Sequence, residues 1–365
     1  MKGCMAGFGE VMLRLSPTGK GRLMQSLPGT IQSTFGGAEA NVCASIAMLG
    51  GNSRFLTALP DNAIARACCM ELRSLGCDVS RIHFAKEGRM GVYYTECGSN
   101  MRGSTVIYDR KGSVISCLAA ADYDFSGMLD GVTHLHLSGI TPALSRNAFE
   151  ATLAIAQKAV EMGLTLSVDL NFRKKLWDWE EGTEKRELAR RCMTPIVELA
   201  DIIIGNEEDA SDVFGIASEG SSVNDGKLNI KGYVDVAEKL SSAFPKAKYV
   251  AITLRESCTA DHNRWGGMLY DCAAKSAHFA PLDADGEYCP YDICCIVDRF
   301  GGGDSFTAGL LFALNTEELS APSTAIRFAA AASALKHTVQ GDYNYIGRGE
   351  VEALMNGSAS GRVQR

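Results

Sequence analysis

The chain has 365 residues, of which 46% are hydrophobic and 22% are charged, and this is the composition of an ordinary globular protein. Its formal net charge of −7 argues against nucleic acid or an acidic membrane surface as the main partner. No apolar run approaches the roughly 20 residues that a membrane-spanning helix needs. The thirteen cysteines are scattered without zinc-ligand spacing and follow no signal peptide. We therefore expect reduced thiols in a cytoplasmic protein.

The first third of the chain predicts β-structure with a glycine motif inserted. A first strand is expected at Gly7–Leu13, and the pair Gly36 and Gly37 precedes a helix with small residues on its packed face. Segments Gly91–Glu96 and Ser104–Tyr108 are rich in β-branched and aromatic residues, which predicts an antiparallel hairpin acting as a lid. Dimerisation is one common way to cover the exposed edges of such a lid.

The middle of the chain alternates between helices and strands. Helical patterns at Ala148–Met162, Glu184–Leu199 and Val234–Ala243 lie among apolar strands at Leu164–Leu170, Ile202–Ile204 and Tyr249–Leu254. This alternation predicts βαβ units and a mostly parallel, doubly wound α/β sheet. Ligands bind such sheets beyond the carboxyl ends of the strands, so we expect the site at that edge.

The most informative segment is the glycine run Gly301-Gly302-Gly303, which is followed by Asp304 and a good helical stretch. Three glycines let backbone N–H groups converge on a ligand, and the start of a helix favours an anion. A carboxylate held there can accept a hydroxyl proton as that oxygen attacks phosphorus. The alternative is a glycine turn in which Asp304 is only the N-cap of the helix.

Two motifs resemble those of one enzyme family. The run DRFGGGDSFTAGLL, which begins at Asp298, resembles the DTxGAGDxFxxG signature of the PfkB/ribokinase carbohydrate kinases, with Gly302 in place of the usual alanine. FGGAEAN, which ends at Asn41, resembles the family's GGxxxN motif. The similarity extends from roughly Met5 to Gly349. It implies a ribokinase-like domain over residues 1–350, with a small antiparallel β lid near 12–35 and 90–120 and a tail at 351–365.

The resemblance implies roles for the residues that match these motifs. Asp304 would be the catalytic base, and the N–H groups from Gly301 to Asp304 would form the anion hole. ATP and Mg²⁺ are the expected cofactors. Residues assigned to ATP are Asn171, Asn206, Thr253, Arg255, Glu256, Ser257, Gly301 and Gly303.

The metal ligands follow the family pattern less closely. Asp298 matches an acidic residue near the nucleotide and its metal. The family's NxxE motif begins at Asn206 but has Asp209 in place of glutamate. Glu207 or Glu208 could compensate, or Mg²⁺ could be held through an extra water. The alternative is an acidic helix start that complements the helix dipole.

The sugar site is predicted from the same resemblance. FGGAEAN is closest to the 2-keto-3-deoxygluconate kinases, whose YxR and DxNxR elements match Tyr108–Arg110 and Asp169–Arg173. Arg110 and Arg173 would then bind the acid end of the substrate, although a solvated surface cation is the common fate of arginine. The full set assigned to the substrate is Gly36, Gly37, Asn41, Tyr93, Tyr108, Arg110, Arg173, Asp304 and Asp342.

Three functions compete at this point. The first is ATP-dependent phosphorylation of 2-keto-3-deoxygluconate on its terminal 6-hydroxyl. The second is a kinase for another sugar, such as fructose, ribose or a related sugar acid. The third is a non-catalytic sugar or nucleotide sensor on the same scaffold. A homodimer joined through the β lid is expected in the kinase family.

Overall fold

The computed structural model describes residues 1–218 and 230–358, so the end of the predicted tail, 359–365, lies outside it. Its strands are β1 (Cys4–Phe8), β2 (Met12–Ser16), β3 (Gln32–Gly36), β4 (Asn52–Leu56), β5 (Ala58–Pro60), β6 (His83–Ala85), β7 (Gly91–Glu96), β8 (Thr105–Asp109), β9 (His134–Ser138), β10 (Thr165–Asp169), β11 (Ile202–Asn206), β12 (Tyr249–Thr259), β13 (His262–Asp271), β14 (Ser276–Ala280) and β15 (Tyr291–Ile293).

The helices surround these strands. They are α1 (Leu23–Ser26), α2 (Ala38–Met48), α3 (Ala63–Ser74), α4 (Val114–Cys117), α5 (Phe125–Met128), α6 (Arg146–Glu161), α7 (Lys185–Val197), α8 (Glu207–Phe214), α9 (Ile230–Ala243), α10 (Gly302–Leu314), α11 (Pro322–Lys336) and α12 (Arg348–Met355). Short 3₁₀ helices lie at Ala120–Asp122 and Glu317–Leu319. Within the described ranges, no helix is both long enough and apolar enough to cross a membrane.

A large sheet forms the centre of the fold, in the order β14-β13-β12-β11-β10-β9-β1-β4, with β15 paired to β13. The pairs from β4 to β12 are parallel, and β13, β14 and β15 add antiparallel strands at one edge. In β11, Ile202 and Ile204 belong to one core cluster and Ile203 belongs to the other. Both faces are therefore buried, as in doubly wound folds, and the predicted α/β class is confirmed.

The smaller sheet has the order β3-β2-β7-β8 and corresponds to the predicted lid. Its β2–β3 and β7–β8 pairs are antiparallel, whereas β2 and β7 run parallel. The predicted first strand Gly7–Leu13 is wrong, because it joins the end of β1 to the start of β2. The chain leaves the large sheet at Gly9, where a Cβ atom would lie only 2.0 Å from Glu39 Oε2.

The predicted boundaries of the middle elements are close to those observed, but the C-terminal boundary differs. Helix α12 continues to Met355, and Val351 is fully buried in the core. Residues 351–355 therefore belong to the domain and not to a tail. All thirteen cysteines are free thiols. The cytoplasmic location stays a prediction.

Candidate active site

The glycine run lies at the start of α10, as predicted. Gly301 is the N-cap residue with φ of 76°, and a Cβ atom there would lie 2.2 Å from the Asp342 carbonyl oxygen. Only glycine fits this conformation and this close approach. Gly303 has open space where a side chain would begin. The first N–H groups of α10 are thus accessible to an anionic ligand.

Asp304 lies in the first turn of α10 and contacts the N-terminal glycine motif. Asn41 Nδ2 donates a hydrogen bond of 2.6 Å to Asp304 Oδ2, and Asn41 Oδ1 accepts one of 3.3 Å from the Gly37 N–H. Burial raises the pKa of Asp304 to about 6, while the hydrogen bond from Asn41 acts to lower it. The two sequence motifs therefore meet at one carboxylate.

A cavity of about 320 Å³ opens beside Asp304 at the carboxyl ends of β10, β11 and β12. Its walls include nine residues predicted to bind phosphate, nucleotide or substrate: Asn171, Arg173, Asn206, Thr253, Arg255, Gly301, Gly302, Gly303 and Asp304. Asp209 also lines the cavity, together with residues that the sequence did not single out, namely Asp169, Trp265, Arg299, Phe300 and Thr307. The location matches the expected ligand-binding edge of the sheet.

Two residues predicted to bind ATP lie outside these walls. Thr253 and Arg255 lie two residues apart on β12, and both face the cavity. Because successive side chains of a strand point to opposite faces, Glu256 faces the other side. There Glu256 pairs with Arg264 at 3.5 Å. Ser257 lies further along β12, at the start of an irregularity in its pairing with β13.

The predicted NxxE motif forms a capping box at the start of α8. Asn206 Oδ1 accepts hydrogen bonds from the N–H groups of Glu208 and Asp209, and Asp209 Oδ2 accepts one of 3.0 Å from the Asn206 N–H. Asp209 Oδ1 accepts a further bond of 2.9 Å from the Phe172 N–H. The backbone thus already uses both oxygens of Asp209. Its predicted role in metal binding stays a prediction.

Three carboxyl groups are crowded in this cavity. Burial raises the pKa of Asp169 well above its ordinary value, and the neighbouring Asp209 and Asp304 raise it further. Burial also raises the pKa of Asp209. Arg173 acts in the opposite direction on all three groups. A bound cation would relieve this repulsion.

Asp298 does not line the Asp304 cavity. Its Oδ2 lies 2.8 Å from an Arg14 guanidinium nitrogen and accepts a bond of 3.0 Å from the Gly341 N–H, and its Oδ1 accepts one from the Phe300 N–H. Asp342, predicted to bind substrate, also pairs with Arg14 at 2.7 Å. This buried arginine binds both carboxylates, so the structure gives Asp298 and Asp342 a structural partner that the sequence did not indicate.

The aromatic and glycine residues of the sugar motif pack against this network. Tyr93 is buried and donates a hydrogen bond of 2.7 Å to Asp342 Oδ2. A Cβ atom at Gly36 would lie 2.5 Å from the Tyr93 hydroxyl, and one at Gly37 would lie 2.1 Å from the Glu10 carbonyl oxygen. Glycine is therefore required here for packing within the protein, whatever else it contacts.

Arg110 is buried beside Glu10 rather than solvated. Its guanidinium forms an ion pair with the Glu10 carboxylate and lies 5.3 Å from the ring centre of Tyr108. Tyr108 is partly exposed and stacks on Tyr93 at a ring separation of 6.3 Å. Arg173, in contrast, is exposed in the wall of the Asp304 cavity and donates a hydrogen bond to the Phe172 carbonyl oxygen. The two predicted substrate cations thus differ in burial and pairing.

Glu39 is a buried acid that the sequence analysis did not select. Its Oε1 accepts hydrogen bonds from the Ser138 N–H and hydroxyl, and its Oε2 is buried without a hydrogen-bond partner. Burial raises the pKa of Glu39 to about 7, and Asp304 contributes in the same direction. The sequence signal that could have identified Glu39 is its position as the one acidic residue among the small residues of α2.

Replacing Glu39 with glutamine is expected to remove part of the pH dependence of stability. Because the folded-state pKa of Glu39 is raised from 4.5 to about 7, ionisation destabilises the fold as pH rises through this interval. The Glu39→Gln variant should gain about 3 kcal/mol over wild type by pH 8 relative to pH 4. Denaturant unfolding across this range measures the difference. Parallel pH profiles for the two proteins would contradict the raised pKa.

Comparison with known proteins identifies the family of this chain. The model for the pfkB family of carbohydrate kinases matches residues 5–255. A 2-dehydro-3-deoxygalactonokinase from Haloferax volcanii is 29% identical, with 97% of each chain covered. The crystal structure of a 2-dehydro-3-deoxygluconokinase from Thermotoga maritima is 37% identical, with a TM-score of 0.86 and with 98% of this chain and 99% of that chain covered. A probable fructokinase-3 from Arabidopsis thaliana is 26% identical, with 93% of this chain and 87% of that protein covered.

The chain belongs to the pfkB family of carbohydrate kinases. Asp304 at the start of α10 and the cavity beside it occupy the position at which doubly wound folds bind their ligands. The protein is therefore a sugar kinase, and its named relatives include kinases of 2-dehydro-3-deoxy sugar acids.

Proposed function

We propose that this kinase transfers the γ-phosphoryl group of ATP to the terminal 6-hydroxyl of 2-keto-3-deoxygluconate, with Asp304 as general base. The observation that carries this proposal is the placement of Asp304. Its partly buried carboxylate lies at the N-terminus of α10, between the cavity and the motif around Asn41. A base at this position can meet a hydroxyl group on one side while phosphate oxygens occupy the other.

The residues around the cavity suit a nucleoside triphosphate. No side chain covers the start of α10 at Gly303, and Arg255 and Arg299 supply positive charge in the walls of the same cavity. Mg²⁺ also fits, because the crowded acids Asp169 and Asp209 would be relieved by a cation. Those two residues would hold it, directly or through water, and a bound Mg²⁺ would neutralise phosphate charge.

In the reaction, Asp304 accepts the proton of the substrate hydroxyl as its oxygen bonds to the γ-phosphorus. The bond between that phosphorus and the bridging oxygen of ATP breaks, and ADP leaves with the bridging oxygen. The N–H groups of Gly302 and Gly303 stabilise the charge that spreads over the transferring group. Asn41 holds the base in place through its 2.6 Å hydrogen bond.

Arg173 is the stronger candidate for contact with the substrate's carboxylate. It is exposed in the cavity, whereas the charge of Arg110 is balanced by buried Glu10. The same pairing gives a second candidate function some support. If Arg110 serves mainly to hold Glu10, Arg173 alone of the two predicted substrate arginines is left to meet a carboxylate, and a neutral sugar such as fructose becomes a reasonable substrate.

A substrate screen separates these two functions. The kcat/KM of the purified enzyme with ATP should be highest for 2-keto-3-deoxygluconate and lower for fructose and ribose. The Arg173→Gln variant should lose about 10–100-fold in kcat/KM for the acid, since a charge-assisted hydrogen bond contributes about 1.5–3 kcal/mol. Its rate with neutral sugars should change less. Lys174→Gln, which removes an adjacent exposed cation outside the cavity walls, is the control. Preference of the wild type for a neutral sugar would overturn the assignment.

The pH dependence of catalysis tests the role of Asn41. Asp304 must be ionised to act as base, so kcat/KM should fall below about pH 6. Asn41→Ala removes the hydrogen bond that lowers the pKa of Asp304, and the acid limb should move up by about one pH unit. Asn344→Ala removes a buried hydrogen bond from the Asn344 side-chain amide to the Ser305 hydroxyl, and it should leave the acid limb of the pH profile in place. An unmoved limb in Asn41→Ala would show that another group controls the profile.

A homodimer through the lid is also proposed. Strand β8 forms an edge of the small sheet, and its Ile107 is 58% exposed. A partner's lid would cover this edge and its apolar side chain. Light scattering of the wild type should give a mass of twice that of one chain. The Ile107→Glu variant should give a mass closer to that of one chain. A monomer for the wild type at micromolar concentration would contradict the proposal.

A further inference from the structure

The side chains of His262, Asp292 and Cys294 converge away from the Asp304 cavity. One nitrogen, one carboxylate oxygen and one sulfur atom, one from each residue, all lie within 4.8 Å of one another. Across residues 1–218 and 230–358, this is the one group of three or more histidine, cysteine and acidic side chains with such a spacing. The sequence did not reveal it, because 30 residues separate His262 from Asp292.

Strand pairing brings the three residues together. The antiparallel register of β13 and β15 pairs Asn263 with Ile293, so His262 faces Cys294 one step beyond that pair. Asp292 lies two residues before Cys294 and therefore projects from the same face of the strand. Opposed and diagonal neighbours on one face are within contact distance in a sheet. The pairing of β13 with β15 therefore brings the three side chains together.

The backbone around the cluster is held by further hydrogen bonds. The Ile296 N–H donates to the Asp261 carbonyl oxygen at 3.0 Å, and the Val297 N–H donates to the His337 carbonyl oxygen at 2.8 Å. The segment that follows β15 is thereby joined to the β12–β13 turn and to the end of α11. Ligands placed on rigid elements form more precise sites than ligands on free loops.

The carboxylate of Asp292 already links the other two groups. Its Oδ1 lies 2.5 Å from His262 Nε2, and its Oδ2 accepts a hydrogen bond of 3.3 Å from the Cys294 thiol. In a tetrahedral zinc site, metal–ligand bonds of about 2.0–2.3 Å put neighbouring donors roughly 3.3–3.7 Å apart. The histidine–aspartate pair would have to open by about 1 Å to admit an ion of this size. Both side chains are partly exposed and have room to make this change.

We propose that His262, Asp292 and Cys294 form a binding site for Zn²⁺ or a transition-metal ion of similar chemistry. Imidazole, carboxylate and thiolate are its usual ligands, whereas Mg²⁺ and Ca²⁺ prefer oxygen alone. Binding forms a metal–sulfur bond and releases the thiol proton to solvent. The charges of thiolate and carboxylate then balance the dication, and water fills the fourth position. The ion would cross-link β13 to β15 and to the segment leading to Asp298.

Cobalt titration of the protein after dialysis against a chelator tests the site, without substrate or ATP. One equivalent of Co²⁺ should produce a thiolate-to-cobalt charge-transfer band and the visible bands of a tetrahedral ion, and Zn²⁺ should displace it. The Cys294→Ser variant should lose the charge-transfer band. His262→Ala and Asp292→Asn should each weaken Zn²⁺ binding by at least about tenfold in competition with a chromophoric chelator.

Cys117→Ser removes another exposed thiol and is the matched control. It should bind Co²⁺ and Zn²⁺ as the wild type does. The proposal would be overturned by a charge-transfer band that persists in Cys294→Ser, by its loss in Cys117→Ser, or by the absence of saturable binding in the wild type. Circular dichroism confirms that each variant is folded before the titration. Because no step requires phosphoryl transfer, the result is independent of the proposed function.

Discussion

Replacing Asp304 with asparagine is expected to lower kcat by about 10²–10⁴-fold, the usual contribution of a positioned general base. Asparagine keeps the size of the side chain and can still accept the hydrogen bond from Asn41 Nδ2. It cannot accept the substrate proton, so the loss should appear in kcat and much less in KM. Steady-state kinetics with saturating ATP measure both constants.

Unlike its kcat, the stability of the Asp304→Asn variant should not fall. Burial raises the pKa of Asp304 to about 6, so its ionised form destabilises the fold at neutral pH. The neutral Asp304→Asn variant should therefore unfold at an equal or higher denaturant concentration than wild type at pH 8. A catalytic defect caused by misfolding would give the reverse result.

Asp201→Asn is the control for loss of a buried carboxylate. Asp201 pairs with Lys246 and Lys248 at the edge of β11, away from the cavity. Its replacement should lower stability and leave kcat nearly unchanged. Rates close to wild type in Asp304→Asn would exclude the aspartate as the base.

Local sequence patterns predicted the elements that depend on local physics. The glycine run and the helix after it were located correctly, because three consecutive glycines and a good helical stretch are both visible in the residues themselves. The alternation of helices and apolar strands likewise predicted the doubly wound sheet. The error at Gly7–Leu13 arose because β1 and β2 form one nearly continuous apolar stretch. The strand pairing shows that the chain passes from the large sheet to the small one between Phe8 and Met12.

Side-chain partners across the fold could not be predicted in this way. Arg110 was expected to face a substrate, but Glu10, a hundred residues earlier, neutralises it. Asp298 was expected near a metal, which stays a prediction, and the sequence did not indicate that Arg14 of the lid pairs with it. A carboxylate or guanidinium in a motif has the same local signature whether it meets a ligand or another side chain. Only the packing of the lid against the glycine loop distinguishes the two.

The buried guanidinium of Arg14 joins the lid to the chain on either side of that loop. It pairs with Asp298 before the glycines and with Asp342 beside them, and its Nε donates to the Thr95 hydroxyl on β7. Its side chain is 2% exposed. Arg14→Met fills a similar volume but removes the ion-pair partner of two buried carboxylates, which is expected to cost about 3–5 kcal/mol in the free energy of unfolding.

Arg89→Met provides the comparison, because Arg89 forms one ion pair with Asp109 in which both side chains are about half exposed. Exposed pairs contribute about 0–1 kcal/mol, so denaturant unfolding should separate the two variants clearly. Equal effects would mean that the buried network adds no more than a surface pair. Adding Asp298→Asn and Asp342→Asn to Arg14→Met should recover part of the loss, since the destabilisation comes from the buried carboxylates that lose their ion-pair partner.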